Sequence, residues 1–162
     1  MVGRPRRRKR EDGVWGEFET SPAFHPFAFD AGPSLCYRNR MAKVLVVDDE
    51  PDMVELITFV FKKSGHQVVI AGDGWEALNK ARALLPDIIV LDVMIPEMDG
   101  FTVCETLRRE PATVNIPILM LTARSGELCR LIGLDSGAND YLTKPFSPRD
   151  LETRAQLLLQ RH

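Results

Sequence analysis

From Lys43 onward, short apolar runs alternate with longer amphipathic stretches, and this alternation limits the possible folds more than any other feature of the sequence. Such a pattern predicts a parallel α/β sheet whose strands are joined by helices. The third and fourth apolar runs are continuous, which indicates that both faces of these strands are buried. The five predicted strands are Val44–Val47, Gln67–Ala71, Ile88–Leu91, Ile116–Leu121 and Tyr141–Leu142.

Five amphipathic stretches predict helices, and most of them have clear start or stop signals. Pro51 begins the first, where its missing N–H costs nothing, and Gly65 ends it. Ser147 and Pro148 mark the start of the last, whereas Gly133 weakens the fourth. The second is expected to bury Ala77, Leu78, Ala81 and Leu85. The predicted helices are about Pro51–Lys63, Trp75–Leu85, Gly100–Arg109, Gly126–Asp135 and a last one from Pro148.

Polar side chains stand at the carboxyl ends of four predicted strands. The carboxyl ends of parallel strands form one edge of the sheet, and ligands bind there in open α/β sheets. We therefore expect these side chains to meet in one site. They are Asp48 and Asp49 after the first strand, Asp92 after the third, Thr122 after the fourth and Lys144 after the fifth.

The residue types in this group favour phosphoryl chemistry assisted by a divalent metal. Three carboxylates in one pocket repel one another unless a cation offsets their charge. Oxygen ligands without His or Cys favour Mg²⁺, with Mn²⁺ as an alternative. A lysine and a threonine hydroxyl suit the oxygens of a phosphoryl group, which Asp92 would accept as an aspartyl phosphate.

Four segments resemble the receiver domain of bacterial two-component response regulators, the CheY-like superfamily. They occur in the family's order and spacing over about residues 41–162. The resemblance implies a flavodoxin-like, doubly wound sheet with strand order 2-1-3-4-5 and five surrounding helices. It also implies that residues 41–162 form a receiver domain. The four segments are Val46–Glu50, Leu91–Gly100, Leu121–Ala123 and Tyr141–Phe146.

The resemblance assigns a role to each matching residue at the metal centre. Asp92 is similar to the phosphoacceptor, and Asp49 and Asp92 resemble direct ligands of Mg²⁺. Asp48 resembles an acid that helps mostly through water. The backbone carbonyl of Met94 resembles a further ligand, so the methionine side chain is no objection to this role.

Further matches concern the response to phosphorylation. Lys144 resembles the lysine that pairs with the phosphate, and its peptide bond with Pro145 is expected to be cis. Thr122 resembles the switch hydroxyl that turns toward the phosphoryl group, and Tyr141 resembles the aromatic residue that moves inward behind it. Arg124 stands where the family varies and where side chains influence the lifetime of the phosphate.

By this resemblance the protein is a phosphoacceptor switch in phosphorelay signal transduction, and it catalyses only its own phosphorylation and dephosphorylation. The donor is a sensor histidine kinase or a phosphotransfer protein. Phosphorylation is expected to change the face made by the fourth helix, the fifth strand and the fifth helix, which then binds a downstream protein or a second copy. No direct nucleic-acid binding is expected, because no helix-turn-helix or winged-helix segment follows the fifth helix.

Three other functions fit parts of the sequence. The Pro145–Leu151 stretch resembles receivers that continue into a DNA-binding domain, so the chain could be a fragment of a longer transcription regulator. A Mg²⁺-dependent aspartyl-phosphate hydrolase is a rival of another class, although such enzymes usually carry a second Asp where Met94 stands. A phosphorylation-independent interaction module is disfavoured because every site residue is present.

Residues 1–40 differ in character from the rest of the chain. They carry eight Lys or Arg and five Asp or Glu, with a basic run at Arg4–Arg10, scattered aromatic residues and no helical or strand periodicity. One interpretation is a disordered extension, and another is a segment that binds nucleic acid or a membrane surface. We favour a third, in which Met41 is the native start, because Met41–Lys43 leads straight into a strand.

Composition excludes several classes of protein. No apolar run approaches the ~18–20 residues that cross a bilayer, and the basic N-terminus leads into Glu-Asp-Gly rather than an apolar signal core. Cys36, Cys104 and Cys129 form no zinc-binding group and favour a reducing compartment. A cytoplasmic protein without a membrane partner is therefore expected.

Overall fold

The computed structural model describes residues 41–123 and 137–161, in which one five-stranded sheet is flanked by four helices. The elements are β1 (Lys43–Val47), α1 (Pro51–Lys63), β2 (Gln67–Ala71), α2 (Gly74–Leu84), β3 (Ile88–Asp92), α3 (Gly100–Arg109), β4 (Ile118–Thr122), β5 (Asp140–Thr143) and α4 (Pro148–Gln160). All strand pairs are parallel, and the order is β2-β1-β3-β4-β5, as the resemblance implied.

Some predictions concern parts of the chain beyond this description. The extension of residues 1–40, the fourth predicted helix (Gly126–Asp135) and Arg124 all lie outside the described residues. Helix α4 is consequently the fifth helix of the predicted series. Among the helices that are described, none is both long and apolar enough to cross a membrane.

The sheet separates two apolar clusters, and β1 contributes to both because alternate residues of a strand point to opposite faces. Leu45 and Val47 pack with residues of α2 and α3 on one face, whereas Val44 and Val46 pack with residues of α1 and α4 on the other. β3 and β4 are buried along their whole length, which confirms the prediction from their continuous apolar runs. Helices thus cover both faces, and the strand ends remain for polar groups.

Three boundaries of β3 and β4 differ from the prediction. β4 begins at Ile118 instead of Ile116, because the Ile116 N–H donates to the Thr113 carbonyl oxygen at 3.1 Å in the preceding turn. β3 and β4 each extend one residue further than predicted, so Asp92 and Thr122 are the last residues of their strands. Both polar side chains therefore lie at the carboxyl edge of the sheet.

One predicted core residue is wrong. Leu85 does not lie on the buried face of α2, since it follows the helix with a φ of 43° and is 53% exposed. Pro86 disfavours a helical conformation in the residue before it, so the helix ends at Leu84. The other three residues predicted for this face are buried, and they are Ala77, Leu78 and Ala81.

Side-chain caps mark the beginnings of three helices. Asp99 accepts the Thr102 N–H at 3.1 Å at the start of α3, and Asp73 accepts the Glu76 N–H at 2.8 Å at the start of α2. Ser147 caps α4 and Pro148 is its first residue, as predicted. Each of α1, α2 and α3 begins after the carboxyl end of a strand, which orients its N-terminus toward the edge that carries the site.

Candidate functional site

The structure brings the predicted acidic residues together at the carboxyl edge of the sheet. Carboxylate oxygens of Asp48, Asp49 and Asp92 all lie within 4.8 Å of one another. Asp48 and Asp92 are only 1% and 2% exposed, whereas Asp49 is open to solvent. The group therefore contains two buried carboxylates and one that a ligand in solution can reach directly.

Strand pairing explains why the two buried acids are neighbours. β1 and β3 pair in parallel with Val47 opposite Leu91, so Asp48 and Asp92 follow side by side. The Asp48 N–H donates to the Ala71 carbonyl oxygen of β2 at 3.2 Å, which continues the hydrogen bonding of the sheet past the end of β1. The apolar strands thereby set the spacing between the two carboxylates.

Lys144 joins this group from the end of β5. Its Nζ lies 2.7 Å from Asp92 Oδ2 and 3.1 Å from Asp48 Oδ2, with Glu50 Oε1 at 3.6 Å. The Lys144 N–H donates to the Thr122 carbonyl oxygen at 2.8 Å, which ties the lysine to the end of β4. The ammonium group is thus held among the carboxylates by a backbone that is itself fixed.

Backbone N–H groups hold the other oxygen of each buried carboxylate. The Met94 N–H donates to Asp92 Oδ1 at 3.1 Å, and the Glu50 N–H donates to Asp48 Oδ1 at 2.9 Å. The sequence prediction gave Glu50 no role, although Glu50 lies in a segment that carries the family resemblance. The Met94 side chain is 71% exposed, which suits a residue that contributes backbone atoms only.

Burial and charge crowding perturb the ionisation of the site. Burial raises the pKa of the Asp48 carboxyl and the Asp92 charge adds to the rise, although hydrogen bonds from the Glu50 N–H and Lys144 oppose it. Burial alone would lower the pKa of Lys144, but its hydrogen bonds with Asp92 and Asp48 raise that pKa overall. Lys144 is therefore firmly positive, and its single charge does not balance three carboxylates.

The donor set of the site fits a hard divalent cation. The cluster offers three carboxylates, and in the part of the chain that the structure describes no His or Cys joins them. Mg²⁺ prefers such oxygen ligands and commonly takes only one or two carboxylates, with water in the other positions. A cation at this edge would also offset the charge that raises the pKa of Asp48.

Thr122 and Tyr141, the predicted switch residues, lie on β4, which is next to the strand of Asp92, and on β5, which is one strand further. Thr122 ends β4, next to Asp92 at the end of β3, and is 6% exposed. Tyr141 lies in β5 opposite Met120 of β4, and it is 8% exposed within the apolar cluster on the α2 and α3 face. The peptide bond between Lys144 and Pro145 is cis, as predicted. The movements of the two switch residues stay predictions.

Known proteins share both the sequence and the fold of this chain. The model of the family described as the response regulator receiver domain matches residues 44–156. The chain is 50% identical over 119 residues to the alkaline phosphatase synthesis transcriptional regulatory protein PhoP of Bacillus subtilis (strain 168), and the match covers 74% of this chain and 49% of that protein. The chain spans about half the length of the curated relatives it matches.

Two solved structures extend the comparison. The chemotaxis response regulator CheY4 of Vibrio cholerae superposes with a TM-score of 0.70 at 36% identity, covering 73% of this chain and 98% of that one. The receiver domain of a sensor histidine kinase from Pseudomonas aeruginosa superposes with a TM-score of 0.70 at 29% identity, covering 74% and 98%. That receiver has a magnesium ion coordinated in its active-site cleft. The flavodoxin-like fold predicted from the sequence is confirmed.

Proposed function

The chain belongs to the response regulator receiver family, and from this we propose that Asp92 is the residue on which it accepts a phosphoryl group. Receivers of this family are signalling switches. In our proposal the donor is a histidine kinase or a phosphotransfer protein, and the only reactions that the chain catalyses are the gain and loss of its own phosphoryl group.

The observation that carries this proposal is the arrangement around the Asp92 carboxylate. One oxygen accepts the Met94 N–H at 3.1 Å, and the other lies 2.7 Å from Lys144 Nζ. Asp92 also ends a fully buried strand, so its backbone cannot shift without disturbing the core. A carboxylate that is already oriented loses little further freedom when it attacks a phosphorus atom, which favours catalysis by positioning.

The proposed transfer forms one bond and breaks one. A carboxylate oxygen of Asp92 attacks the phosphorus of a phosphohistidine, the P–N bond breaks, and its electron pair remains on the histidine nitrogen. Lys144 then turns from the carboxylate to the phosphoryl oxygens, because these carry the new negative charge. Dephosphorylation is a separate reaction, in which water attacks the phosphorus of the aspartyl phosphate and the P–O bond to Asp92 breaks. The carboxylate leaves with the electron pair of that bond, and inorganic phosphate is released.

Four groups of the chain would hold Mg²⁺ in this proposal, with Mn²⁺ as an alternative. Asp49, Asp92 and the Met94 carbonyl oxygen would bind it directly, and Asp48 mostly through water. The bound ion would supply positive charge that screens the carboxylates from the incoming phosphoryl group. The oxygen-only cluster around Asp92 supports this assignment, as does the magnesium ion in the related Pseudomonas aeruginosa receiver.

The proposed switch couples the acceptor to the neighbouring strands. The Thr122 hydroxyl turns toward the phosphoryl group as a hydrogen-bond donor, and Tyr141 follows into the space behind it. The backbone hydrogen bond between Lys144 and Thr122 supports this coupling, because it links the two residues that contact the phosphoryl oxygens. The change reaches the surface of β5, α4 and the predicted fourth helix, where a downstream protein or a second copy would bind.

A second candidate is that this receiver regulates a DNA-binding domain in a longer protein. The observation that favours it is the 50% identity with a transcriptional regulatory protein. The match covers 49% of the length of that protein. In that case the receiver itself contacts no DNA, and its phosphorylation controls the attached domain. We assign residues 41–162 to the receiver and residues 1–40 to an extension before it, and we expect the protein to act in the cytoplasm.

The hydrolase alternative receives no support from the geometry. A hydrolase of that class would need a proton donor two residues after the nucleophile, and here that residue is Met94, whose thioether cannot donate a proton. The side chain is also 71% exposed, so it is not directed at the buried carboxylates. Multiple turnover of a small phosphate ester by the purified chain would contradict this assignment.

Phosphorylation of Asp92→Asn tests the proposal. The full chain is incubated with Mg²⁺ and acetyl phosphate or a histidine kinase, and hydroxylamine-labile phosphate is measured. Wild type should be labelled and Asp92→Asn should not, because the amide is a poor nucleophile. Asp73→Asn is the matched control, since asparagine also caps a helix well and α2 should remain intact. Full labelling of Asp92→Asn would refute the assignment.

A further inference from the structure

Helix α3 begins in direct contact with the backbone of the acceptor residue. Gly100 is the first residue of α3, and its N–H donates to the Val93 carbonyl oxygen at 2.9 Å. The Val93 N–H donates to the Leu121 carbonyl oxygen of β4 at 3.0 Å. The chain just after Asp92 is therefore held between β4 on one side and the start of α3 on the other.

A side chain at Gly100 has no room. A Cβ there would lie 2.3 Å from the Asp92 carbonyl oxygen, 2.9 Å from Val93 Cα and 3.1 Å from the Asp92 carbonyl carbon. All three are backbone atoms, so a change of rotamer cannot relieve the contact. Because non-bonded heavy atoms prefer separations near ~3.5 Å, either α3 or the Asp92 backbone would have to move by roughly 1 Å.

A second glycine contacts the other end of the same loop, residues 93–99, which we call the acceptor loop. Gly74 is the first residue of α2, and a Cβ there would lie 2.7 Å from Met98 Cβ and 3.0 Å from the Met98 carbonyl oxygen. Gly100 thus limits the position of the loop where it leaves β3, and Gly74 limits it near its end. The two contacts are independent, because they come from different helices.

We propose that Gly100, supported by Gly74, is a positioning residue for phosphoryl transfer. Its missing side chain lets α3 close against the Asp92 carbonyl, and this fixes the acceptor loop whose Met94 N–H orients the Asp92 carboxylate. Lys144 is carried by β5, so a shift of the Asp92 backbone moves the nucleophile relative to its lysine. The inference rests on the proposed function. It adds two glycines, which have no side chain that could take part in the chemistry.

The test compares Gly100→Ala with wild type in the full chain. Two quantities are measured: the rate of labelling by acetyl phosphate and the affinity for Mg²⁺ by calorimetry. A displacement of this size is expected to slow labelling about 100-fold and to weaken Mg²⁺ binding about tenfold. A urea titration of each variant reports the accompanying loss of stability.

Gly137→Ala is the matched control for destabilisation. Gly137 has a φ of 88°, and a Cβ there would lie 2.8 Å from Arg108 Cγ, so the substitution is strained in a different part of the fold. It precedes the amino end of β5, while the acceptor stands at the carboxyl edge. Gly137→Ala should lower the urea midpoint yet retain the labelling rate and Mg²⁺ affinity of wild type. In Gly72→Ala the new Cβ would meet only Glu76 Oε2 at 3.9 Å. This variant should keep the urea midpoint, the labelling rate and the Mg²⁺ affinity of wild type.

The outcomes separate the two proposals. A wild type that takes no label refutes the proposed function and this inference with it. A labelled wild type together with Gly100→Ala labelled at the same rate refutes only the positioning role. Equal losses in Gly100→Ala and Gly137→Ala also refute it, because lowered stability would then explain both. If Gly100→Ala does not fold, Gly74→Ala replaces it, with a loss of about tenfold expected in labelling and an unchanged rate counting against the proposal.

Discussion

The two ends of the sheet surround a partly buried cation with different groups. At the carboxyl edge, Lys144 lies among Asp48, Asp92 and Glu50, and the carboxylates outnumber it. Beside the amino ends of β4 and β5, Arg108 donates hydrogen bonds only to neutral oxygens among the described residues. The first arrangement has excess negative charge, whereas in the second the described residues supply Arg108 with uncharged hydrogen-bond acceptors.

The Arg108 side chain connects the turn after α3 with Gly137 and Asn139, which lie 29 and 31 residues further along the chain. Burial lowers the pKa of its guanidinium, but arginine stays charged at any physiological pH. Its Nε donates to the Gly137 carbonyl oxygen at 2.7 Å and its Nη2 to Asn139 Oδ1 at 2.7 Å, while its Nη1 donates to the carbonyl oxygens of Val114 at 3.0 Å and Ile116 at 2.9 Å. We call these five residues the Arg108 network.

This difference indicates how the fold divides stability and function. The Arg108 network satisfies polar groups at the ends of α3, β4 and β5, and charged hydrogen bonds of this kind stabilise a fold. The acidic site holds like charges close together, which costs stability until a cation binds there. The candidate site is thus at one edge of the sheet, while hydrogen bonds at the opposite edge offset part of the stability that the site loses.

The largest expected effect on stability concerns the Arg108 network. Arg108→Met keeps much of the apolar stem but removes the donor of three carbonyl oxygens, while Asn139 Oδ1 keeps the Ile118 N–H. The free energy of unfolding should therefore fall by about 3 kcal/mol. Arg109→Met is the control, because that side chain is exposed and pairs with Glu105 at only 3.4 Å, and it should change the stability by less than about 0.5 kcal/mol. Urea unfolding measures both, and equal losses would contradict the comparison.

The second prediction removes the cation from the acidic site. Without Mg²⁺, Lys144→Met should lower the free energy of unfolding by about 2 kcal/mol, because two nearly inaccessible carboxylates then lack a counter-charge. Added Mg²⁺ should restore more stability to this variant than to wild type, since the metal supplies the missing charge. Thermal unfolding with EDTA and with Mg²⁺ measures the difference. An equal response of the two proteins to Mg²⁺ would show that Lys144 does not offset the acids.

The third prediction is a gain in stability instead of a loss. Asp48→Asn removes one carboxylate whose charge is disfavoured by burial, so without Mg²⁺ the free energy of unfolding should rise by about 1 kcal/mol. The same variant should gain less stability from Mg²⁺ than wild type does, because it has lost an acid near the metal. Urea titrations with and without the ion check both statements. A destabilised variant without Mg²⁺ would mean that the lysine more than offsets the crowding.

The smallest effect concerns another acid at the same edge, at the start of α3. Burial alone would raise the pKa of Asp99, but hydrogen bonds from the Thr102 hydroxyl and N–H lower it overall. Asp99→Asn should therefore lower the free energy of unfolding by about 0.5 kcal/mol at neutral pH, because asparagine caps the helix without the favourable charge.

The pH dependence of this difference follows from the lowered pKa. The stability that Asp99 contributes is fully present above its unfolded pKa of about 3.8 and is lost as the pH falls through the lower folded pKa. The gap between wild type and Asp99→Asn should accordingly close in that acidic range. Urea titrations at several pH values measure it, and a gap that widens on acidification would contradict the sign.

The α/β class and the members of the site were predictable from local patterns, whereas the strand order came from the family resemblance. Continuous apolar runs predict β3 and β4, and the polar residues that end them, Asp92 and Thr122, follow from where those runs stop. Lys144 was predictable in the same way from the end of β5. A parallel sheet then brings these ends together whatever the loops between them contain.

Other features depend on contacts between segments that no local pattern connects. In the sequence Arg108 looks like an ordinary surface charge near the end of a helix. Only the folded chain shows that it donates hydrogen bonds to Gly137 and Asn139. Gly100 reads as part of a turn, whereas its closest contact is the backbone of Asp92. The exposure of Leu85 likewise depends on where α2 ends, and the helical period alone does not determine that residue.

The hydrogen bond between the Lys144 N–H and the Thr122 carbonyl oxygen has a consequence for folding fidelity. If β5 paired with β4 one residue out of register, the strand would be displaced by about 3.3 Å and its side chains would exchange faces. Lys144 would then no longer reach Asp92 and Asp48, and two buried carboxylates would face each other without it. Such misfolded chains carry an electrostatic penalty, so the charges of the site also help to select the correctly aligned sheet.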